Sequence, residues 1–452
     1  MKRDLLNNLK TWQNSAAKKP LVLSGARQVG KTYTLKHFGE NFFPSYHYVN
    51  FETDETLAGI FEKDLKPVRI IQELNFYLDA PINLESDLLI LDEIQECPRA
   101  LTSLKYFCEL MPEMAVCAAG SLLGIHLAQS SFPVGKVDYL KMNPMGFFEF
   151  LEGTGQFRYA DHLRHYTGEE TIPEVVHKHL WEQLKIYFVV GGLPEIVSLY
   201  ANKRADLYSA MKLVRQRQSD LIRDYSADIA KHSGKQNAMH IERIWKNIPS
   251  QLARDQDGSA SKFRFKGVVP GVSGYSRLAG AIDWLESAGL IIKMPIVNSG
   301  YLPFPAYMKE NIFKLFCFDV GILGALSMLP PKNIIDYDYG TYKGYFAENF
   351  VAQELKFSGA ENICSWRERR AEVEFLKEEN GNVYPIEIKS GWVTQAKSLK
   401  VFSQKYNPPY RTIMSAGNIH IDTKNRIHRY PLYLAAEFPL FEQFVMMSSI
   451  LA

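Results

Sequence analysis

One stretch constrains this chain more than any other: Gly25-Ala26-Arg27-Gln28-Val29-Gly30-Lys31-Thr32. It is a G-x-x-x-x-G-K-[ST] loop, entered from the apolar run Leu21-Val22-Leu23 and left through Tyr33-Thr34-Leu35-Lys36-His37-Phe38, which reads as the first turns of a helix. A strand-to-helix turn with glycine at both ends lets consecutive backbone N–H groups point into one concavity. The helix N-terminus adds partial positive charge there, so the loop suits a chain of phosphates. Residues Gly25, Ala26, Arg27, Gln28, Val29, Gly30, Lys31 and Thr32 are therefore the candidate nucleotide-binding set. Lys31 is expected to reach the β- and γ-phosphates, and the Thr32 hydroxyl to hold Mg²⁺.

Such a loop needs an acidic partner, and Asp87-Leu88-Leu89-Ile90-Leu91-Asp92-Glu93 supplies one. Four consecutive apolar residues predict a strand buried on both faces, with two carboxylates at its C-terminal end. Asp92 is placed to hold Mg²⁺ through water, and Glu93 to polarise the water that attacks the γ-phosphate. The expected ligands are thus ATP and Mg²⁺.

Gly25 to Thr32, together with Leu91-Asp92-Glu93-Ile94-Gln95, resembles a prokaryotic subgroup of the AAA ATPases that carries a C-terminal domain of unknown function behind the ATPase core. Later segments match that subgroup too: Gly191-Gly192-Leu193-Pro194-Glu195, Lys314-Leu315-Phe316-Cys317-Phe318-Asp319-Val320-Gly321 and Pro385-Ile386-Glu387-Ile388-Lys389. The resemblance implies that Ser121, after the apolar run Met114 to Ala119 and Gly120, senses the γ-phosphate and orients the attacking water. A plain helix N-cap explains the same serine. Similar proteins commonly have Gly-Arg just before the last strand, an arginine suited to act on a neighbour's nucleotide. This chain has Gly135-Lys136 there, and a lysine lacks the planar fork. Arg99 is another cation near the acidic strand, without an assigned role.

The remaining bounds are broad. At 452 residues the chain exceeds the size of one core, so two to four domains are expected. A net charge of +2 argues against a uniformly basic nucleic-acid wrapper, though it leaves room for a local patch. Five cysteines, Cys97, Cys108, Cys117, Cys317 and Cys364, lack C-x-x-C spacing and predict reduced thiols rather than a disulfide framework or zinc ribbon. No apolar run approaches a membrane span, and the first residues lead into an amphipathic helix rather than a signal segment, so a cytoplasmic location without membrane partners is expected.

From Pro20 onward strand and helix patterns alternate, which predicts an α/β fold: a P-loop NTPase doubly wound parallel sheet with ligands beyond the strand C-termini, where Gly30, Asp92 and Ser121 fall. Before it, Leu5, Leu6, Leu9 and Trp12 lie at helical spacing; Trp12 is either core or a neighbour of the adenine. The expected domains are an ATPase domain over 1–150, closed by a helix around Phe147 to Leu151; a helical lid or connector over 151–240; a winged-helix-like module over 241–330; and a restriction-endonuclease-like α/β domain over 331–452. In the second, Asp206 to Ile229 carries Arg215, Arg217 and Arg223, read as a solvated face or as a contact to nucleic acid or a neighbouring subunit. In the third, a helix from Tyr275 is the candidate recognition helix and Leu290 onward the wing, with Pro330-Pro331 as the boundary after it.

In the last region, Glu372-Val373-Glu374-Phe375 and Tyr384 to Lys389 alternate polar with apolar residues as a hairpin, following an amphipathic helix from Gly344 to Leu355. Glu374, Glu387 and Lys389 then project from one sheet face with Glu348 above. This is similar to the restriction-endonuclease-like layout, in which two carboxylates hold Mg²⁺ and a lysine stabilises the attacking hydroxide. Nucleases of this type favour aspartate where Glu374 stands, and the extra methylene shifts a metal by about an ångström. The readings carried forward are an ATPase that moves its C-terminal modules on a partner, with DNA and a homo-oligomer as candidate partners; an ATP-gated DNA endonuclease; and a nucleotide-dependent scaffold with little turnover.

Overall fold

The computed structural model describes residues 1–54, 56–121, 134–168, 170–256, 262–338, 340, 342–391 and 396–440. The expected helix from Leu122 and most of the loop after Gly124 lie outside the described residues. The chain divides into two compact units, one of Met1–Asn143 with Ser287–Gly289, the other of Pro144–Glu286 with the chain from Leu290 onward.

The first unit begins with α1 (Leu5–Gln13) and β1 (Leu21–Ser24), followed by α2 (Lys31–Phe42) and β2 (Tyr46–Asn50). It continues through α3 (Thr56–Glu62), α4 (Pro67–Leu78), β3 (Leu88–Asp92), α5 (Pro98–Leu110), β4 (Ala115–Gly120) and β5 (Asp138–Lys141). The five strands form one sheet in the order β2-β3-β4-β1-β5, every neighbouring pair parallel, as the alternating pattern predicts. Leu88 to Leu91 are fully buried because helices cover both faces of a parallel sheet. Trp12 is core: its indole N–H donates to the Lys19 carbonyl at 2.8 Å and its ring meets Phe38. Arg99 is a tie between α5 and α3, its Nε donating to the Phe61 carbonyl.

The second unit starts with α6 (Phe147–Gly153), α7 (Phe157–Arg164), α8 (Glu174–Val190), α9 (Pro194–Lys203), α10 (Leu207–Ser233) and α11 (Lys235–Gln256). Then come α12 (Ala279–Ser287), β6 (Ile291–Val297), β7 (Met308–Cys317), α13 (Val320–Leu326), α14 (Pro331–Ile335) and α15 (Tyr342–Phe357). The end holds β8 (Ile363–Glu368), β9 (Ala371–Glu379), β10 (Asn382–Ile388), α16 (Lys397–Tyr406), β11 (Arg411–Ser415), β12 (His420–Asp422) and β13 (Ile427–Pro431).

Three expectations about this region change. The helix around Phe147 belongs to the second unit, because the Glu354 carboxylate accepts the Phe147 N–H and Phe147 packs edge-on against Tyr187 and Phe350. The candidate recognition helix is one tight turn over Tyr275–Arg277 and then α12. The expected wing, β6-β7, is the edge of an eight-stranded sheet ordered β12-β13-β11-β10-β9-β8-β6-β7, since β6 also pairs parallel with β8. Strands from both sides of Pro330 therefore share one sheet.

The Gly191-Gly192 and Asp319-Val320-Gly321 segments turn out to be each other's partners. The buried Asp319 carboxylate accepts the Gly192 N–H at 2.6 Å and the Ile322 N–H at 2.9 Å, and Gly191, at φ +73°, leaves no room for a Cβ beside it. The arginines of α10 are likewise used within the unit: Arg217 is bidentate to Glu195 at 2.7 and 3.0 Å, and Arg215 donates to the Gly321 carbonyl. Of the cysteines, Cys97, Cys117, Cys317 and Cys364 are buried free thiols and Cys108 is half-buried.

Candidate nucleotide site

The loop Gly25–Gly30 joins the end of β1 to the first turn of α2. Its two glycines are there for geometric reasons: a Cβ on Gly25 would collide with the Met142 carbonyl, and Gly30 caps α2 at φ +96°, a left-handed conformation that side chains disfavour. Lys31 opens the helix with only 6 % of its surface exposed, and its ammonium donates to the Gly25 and Ala26 carbonyls at 3.0 and 2.9 Å. The ammonium thus sits inside the loop, where a phosphate chain would meet it. Burial pulls its pKa down to about 8, against the opposing pull of Glu93 and Asp92.

Thr32 and Asp92 come together although 60 residues separate them: the Thr32 hydroxyl donates to Asp92 Oδ2 at 2.7 Å. A hydroxyl and a buried carboxylate in contact are hard oxygen donors of the kind Mg²⁺ takes, so these residues fit the ion that the motif implies. Sequence reasoning missed a third member. The Tyr48 hydroxyl donates to the same Asp92 oxygen at 2.9 Å, and Asn50 Nδ2 donates to Tyr48. The register places Tyr48 beside Ile90 and Asn50 beside Asp92. The alternation Tyr46-His47-Tyr48-Val49-Asn50 signals which side chains share that face, but only the strand pairing says which strand they meet.

Glu93 follows at φ +49°, an uncommon conformation for a residue with a side chain, of the kind that clusters at functional sites. Its carboxylate accepts from Gln95 Nε2 at 2.6 Å, a contact the sequence did not suggest. Burial pushes the Glu93 pKa up, which improves it as a proton acceptor near neutral pH; the Gln95 hydrogen bond and the Lys31 charge oppose the rise. Ser121 lies one residue beyond Gly120, which pairs with Ser24 at the end of β1, so it reaches the same rim as Lys31 and Asp92. It is buried, and Arg27 Nε donates to its hydroxyl at 3.4 Å. Lys136, where an arginine was expected, pairs with Glu109 at 3.1 Å.

The second expected cluster also assembles, with an addition. Phe375 pairs with Ile386, which sets Glu374 opposite Glu387 on neighbouring strands. Lys389 donates to Glu387 at 2.7 Å. Lys314, unforeseen, lies 2.8 Å from Glu372 and 3.6 Å from Glu348. Burial and then the charges of Glu387 and Glu348 push the Glu374 pKa upward. Two lysines, Lys314 and Lys389, lie among these carboxylates, and among the described residues no group of three or more His, Cys, Asp or Glu is disposed to hold a metal ion.

A parallel sheet with a glycine-bounded loop over its first strand and a buried aspartate over its third defines a P-loop nucleotide-binding domain. Residues 17–151 match the family of the AAA domain, so this part of the chain is an AAA-class P-loop ATPase domain. Residues 181–333 match a domain of unknown function, DUF8612, and residues 343–435 another, DUF4143. No curated protein matches the sequence. Solved structures similar to this chain include the Walker-type ATPase PABY2304 of Pyrococcus abyssi, at 16% identity over 72% of this chain and 95% of that one, with a TM-score of 0.42. Aeropyrum pernix Orc1 in complex with DNA is similar at 15% identity over 72% and 91%, TM-score 0.29. AMPPCP-bound DnaA of Aquifex aeolicus is similar at 16% over 63% and 86%, TM-score 0.28. Among the described residues no helix is long and apolar enough to cross a membrane.

Proposed function

We propose that this protein binds ATP with Mg²⁺ and hydrolyses it, and that hydrolysis moves its C-terminal modules on a partner. The observation that carries the reading is the meeting of the Thr32 hydroxyl with Asp92 beside an ammonium enclosed by its own loop. Mg²⁺ neutralises phosphate charge when bound, and Thr32 and Asp92 are the residues to hold it. Lys31 binds the β- and γ-phosphates, the loop N–H groups orient them, Ser121 senses the γ-phosphate, and Glu93 takes a proton from the attacking water. Steady phosphate release that requires Mg²⁺ and stops with EDTA tests this; release at background would leave the nucleotide-dependent scaffold.

The buried lysine adds a pH prediction. Lys31 in the free protein titrates at about 8, and bound phosphates hold its proton more tightly. Binding should therefore take up a proton at alkaline pH and weaken as pH rises above about 8. Titration calorimetry in buffers of different ionisation heat reads the uptake directly; equal enthalpies in all buffers would sink it.

DNA is the candidate partner, entering through residues 241–330 or the last sheet, and retention on a DNA column that falls with moderate salt tests for a local basic surface. The endonuclease alternative needs Glu374 and Glu387 to accept a metal with Lys314 nearby, and Lys389, now bonded to Glu387, to stabilise the attacking hydroxide. Plasmid incubated with the protein and Mg²⁺ or Mn²⁺ should stay intact. Cleavage that Glu387→Ala abolishes would establish the alternative instead.

A further inference from the structure

A loose transition state for phosphoryl transfer spreads negative charge over the γ-phosphate oxygens, and a guanidinium is the side chain best shaped to meet it. The place where an arginine from a neighbouring copy was expected holds Lys136, tied to Glu109 of its own chain at 3.1 Å. The nucleotide site itself contains an arginine. Arg27 is the third residue of the phosphate loop, and Gln28 beside it turns the chain at φ +66°. Among its contacts, its Nε donates to Ser121 at 3.4 Å and its Nη2 lies 3.7 Å from Glu52, with 28 % of the side chain exposed. The guanidinium is close enough to lower the pKa values of both Lys31 and Glu93 by its charge. It therefore lies within the field of the phosphate-binding ammonium and of the water-activating carboxylate, on the γ-phosphate side marked by Ser121.

We propose that Arg27 is the catalytic arginine of this ATPase, acting in cis: its guanidinium leaves Ser121 and pairs with the γ-phosphate oxygens as the bond to ADP breaks. The water oxygen bonds to the γ-phosphorus, the bond from that phosphorus to the β,γ-bridging oxygen breaks, and its electron pair leaves with ADP. The water proton passes to Glu93. Arg27 exchanges no proton; it contributes its charge and the paired N–H donors of its planar fork. An arginine supplied by the same loop that binds the phosphates makes turnover independent of a neighbour, which accounts for a chain with lysine at the outer position.

This inference rests on the ATPase reading, and the test separates the two. Phosphate release and the Kd for ATP are measured for the wild type, Arg27→Ala, Arg27→Gln, Arg27→Lys and Lys136→Ala, and for an equimolar mixture of Arg27→Ala with Lys31→Ala across protein concentration. Arg27→Ala and Arg27→Gln should each lower kcat about 10³-fold while the Kd moves less than about fivefold. Arg27→Lys should recover little, since a point charge does not reproduce the fork. Lys136→Ala should keep wild-type turnover, and the mixture should stay inactive. Wild-type kcat in both neutral Arg27 variants, or turnover restored by mixing, overturns the inference and leaves the ATPase standing. A wild type without turnover overturns both, and a Kd that rises as much as kcat falls assigns Arg27 to ground-state binding and overturns its transition-state role.

Discussion

Lys31→Ala should lower the affinity for ATP by about 100-fold or more, roughly 2.7 kcal/mol, with the sheet left intact. The side chain is buried at the first turn of α2, its ammonium within 3.0 Å of two loop carbonyls. In the absence of nucleotide those carbonyls satisfy it; with nucleotide, the phosphates take it over, and a charge-assisted bond replaces neutral ones. Alanine removes the ammonium that the loop supplies for the β,γ-phosphates in the ground state and leaves helix dipole and backbone N–H groups to hold them. Titration calorimetry or a fluorescent nucleotide reads the loss, and far-UV circular dichroism checks the fold. Affinity within threefold of the wild type would remove the loop from nucleotide binding.

Glu93→Gln should slow hydrolysis by about 10² to 10⁴ while ATP stays bound. Glutamine keeps the shape and an oxygen that Gln95 can still donate to, but it accepts no proton from water. The strained conformation at φ +49° is already imposed by the turn after β3, so the substitution changes charge rather than backbone. Filter retention of labelled ATP, with single-turnover phosphate release, distinguishes a trapped complex from a lost one. Unchanged turnover would strike Glu93 from the mechanism. Because burial raises the Glu93 pKa, wild-type turnover should fall on acidification before that of a solvent-exposed carboxylate would, as the base becomes protonated.

Much of the first unit was legible because its determinants are contiguous. A glycine-bounded loop between an apolar run and a helical one, and a fully apolar strand ending in two carboxylates, each state their structure within about ten residues. Tyr48, Gln95 and the Arg27–Ser121 contact were not legible, although all three lie within 4 Å of named site residues. Tyr48 meets Asp92 through a parallel register, and no local pattern encodes which strand becomes a neighbour. The second unit shows the same limit at larger scale. The β9–β10 hairpin was visible in its alternation, whereas the pairing of β6 with β8, which carries one sheet across Pro330, and the arrival of Lys314 among the carboxylates were not.

By itself, then, the sequence determined that a nucleotide loop, an acidic strand and a carboxylate-bearing hairpin exist, because hydrophobic period, turn chemistry and glycine conformation act over a few residues. The tertiary structure alone decided who their partners are: Thr32 and Tyr48 on one oxygen of Asp92, Arg27 on Ser121, lysines rather than free space beside Glu348, Glu372 and Glu387. Those meetings depend on strand order and register, which are fixed by burial summed over the whole unit, and a side chain's chemistry follows from what that sum sets beside it.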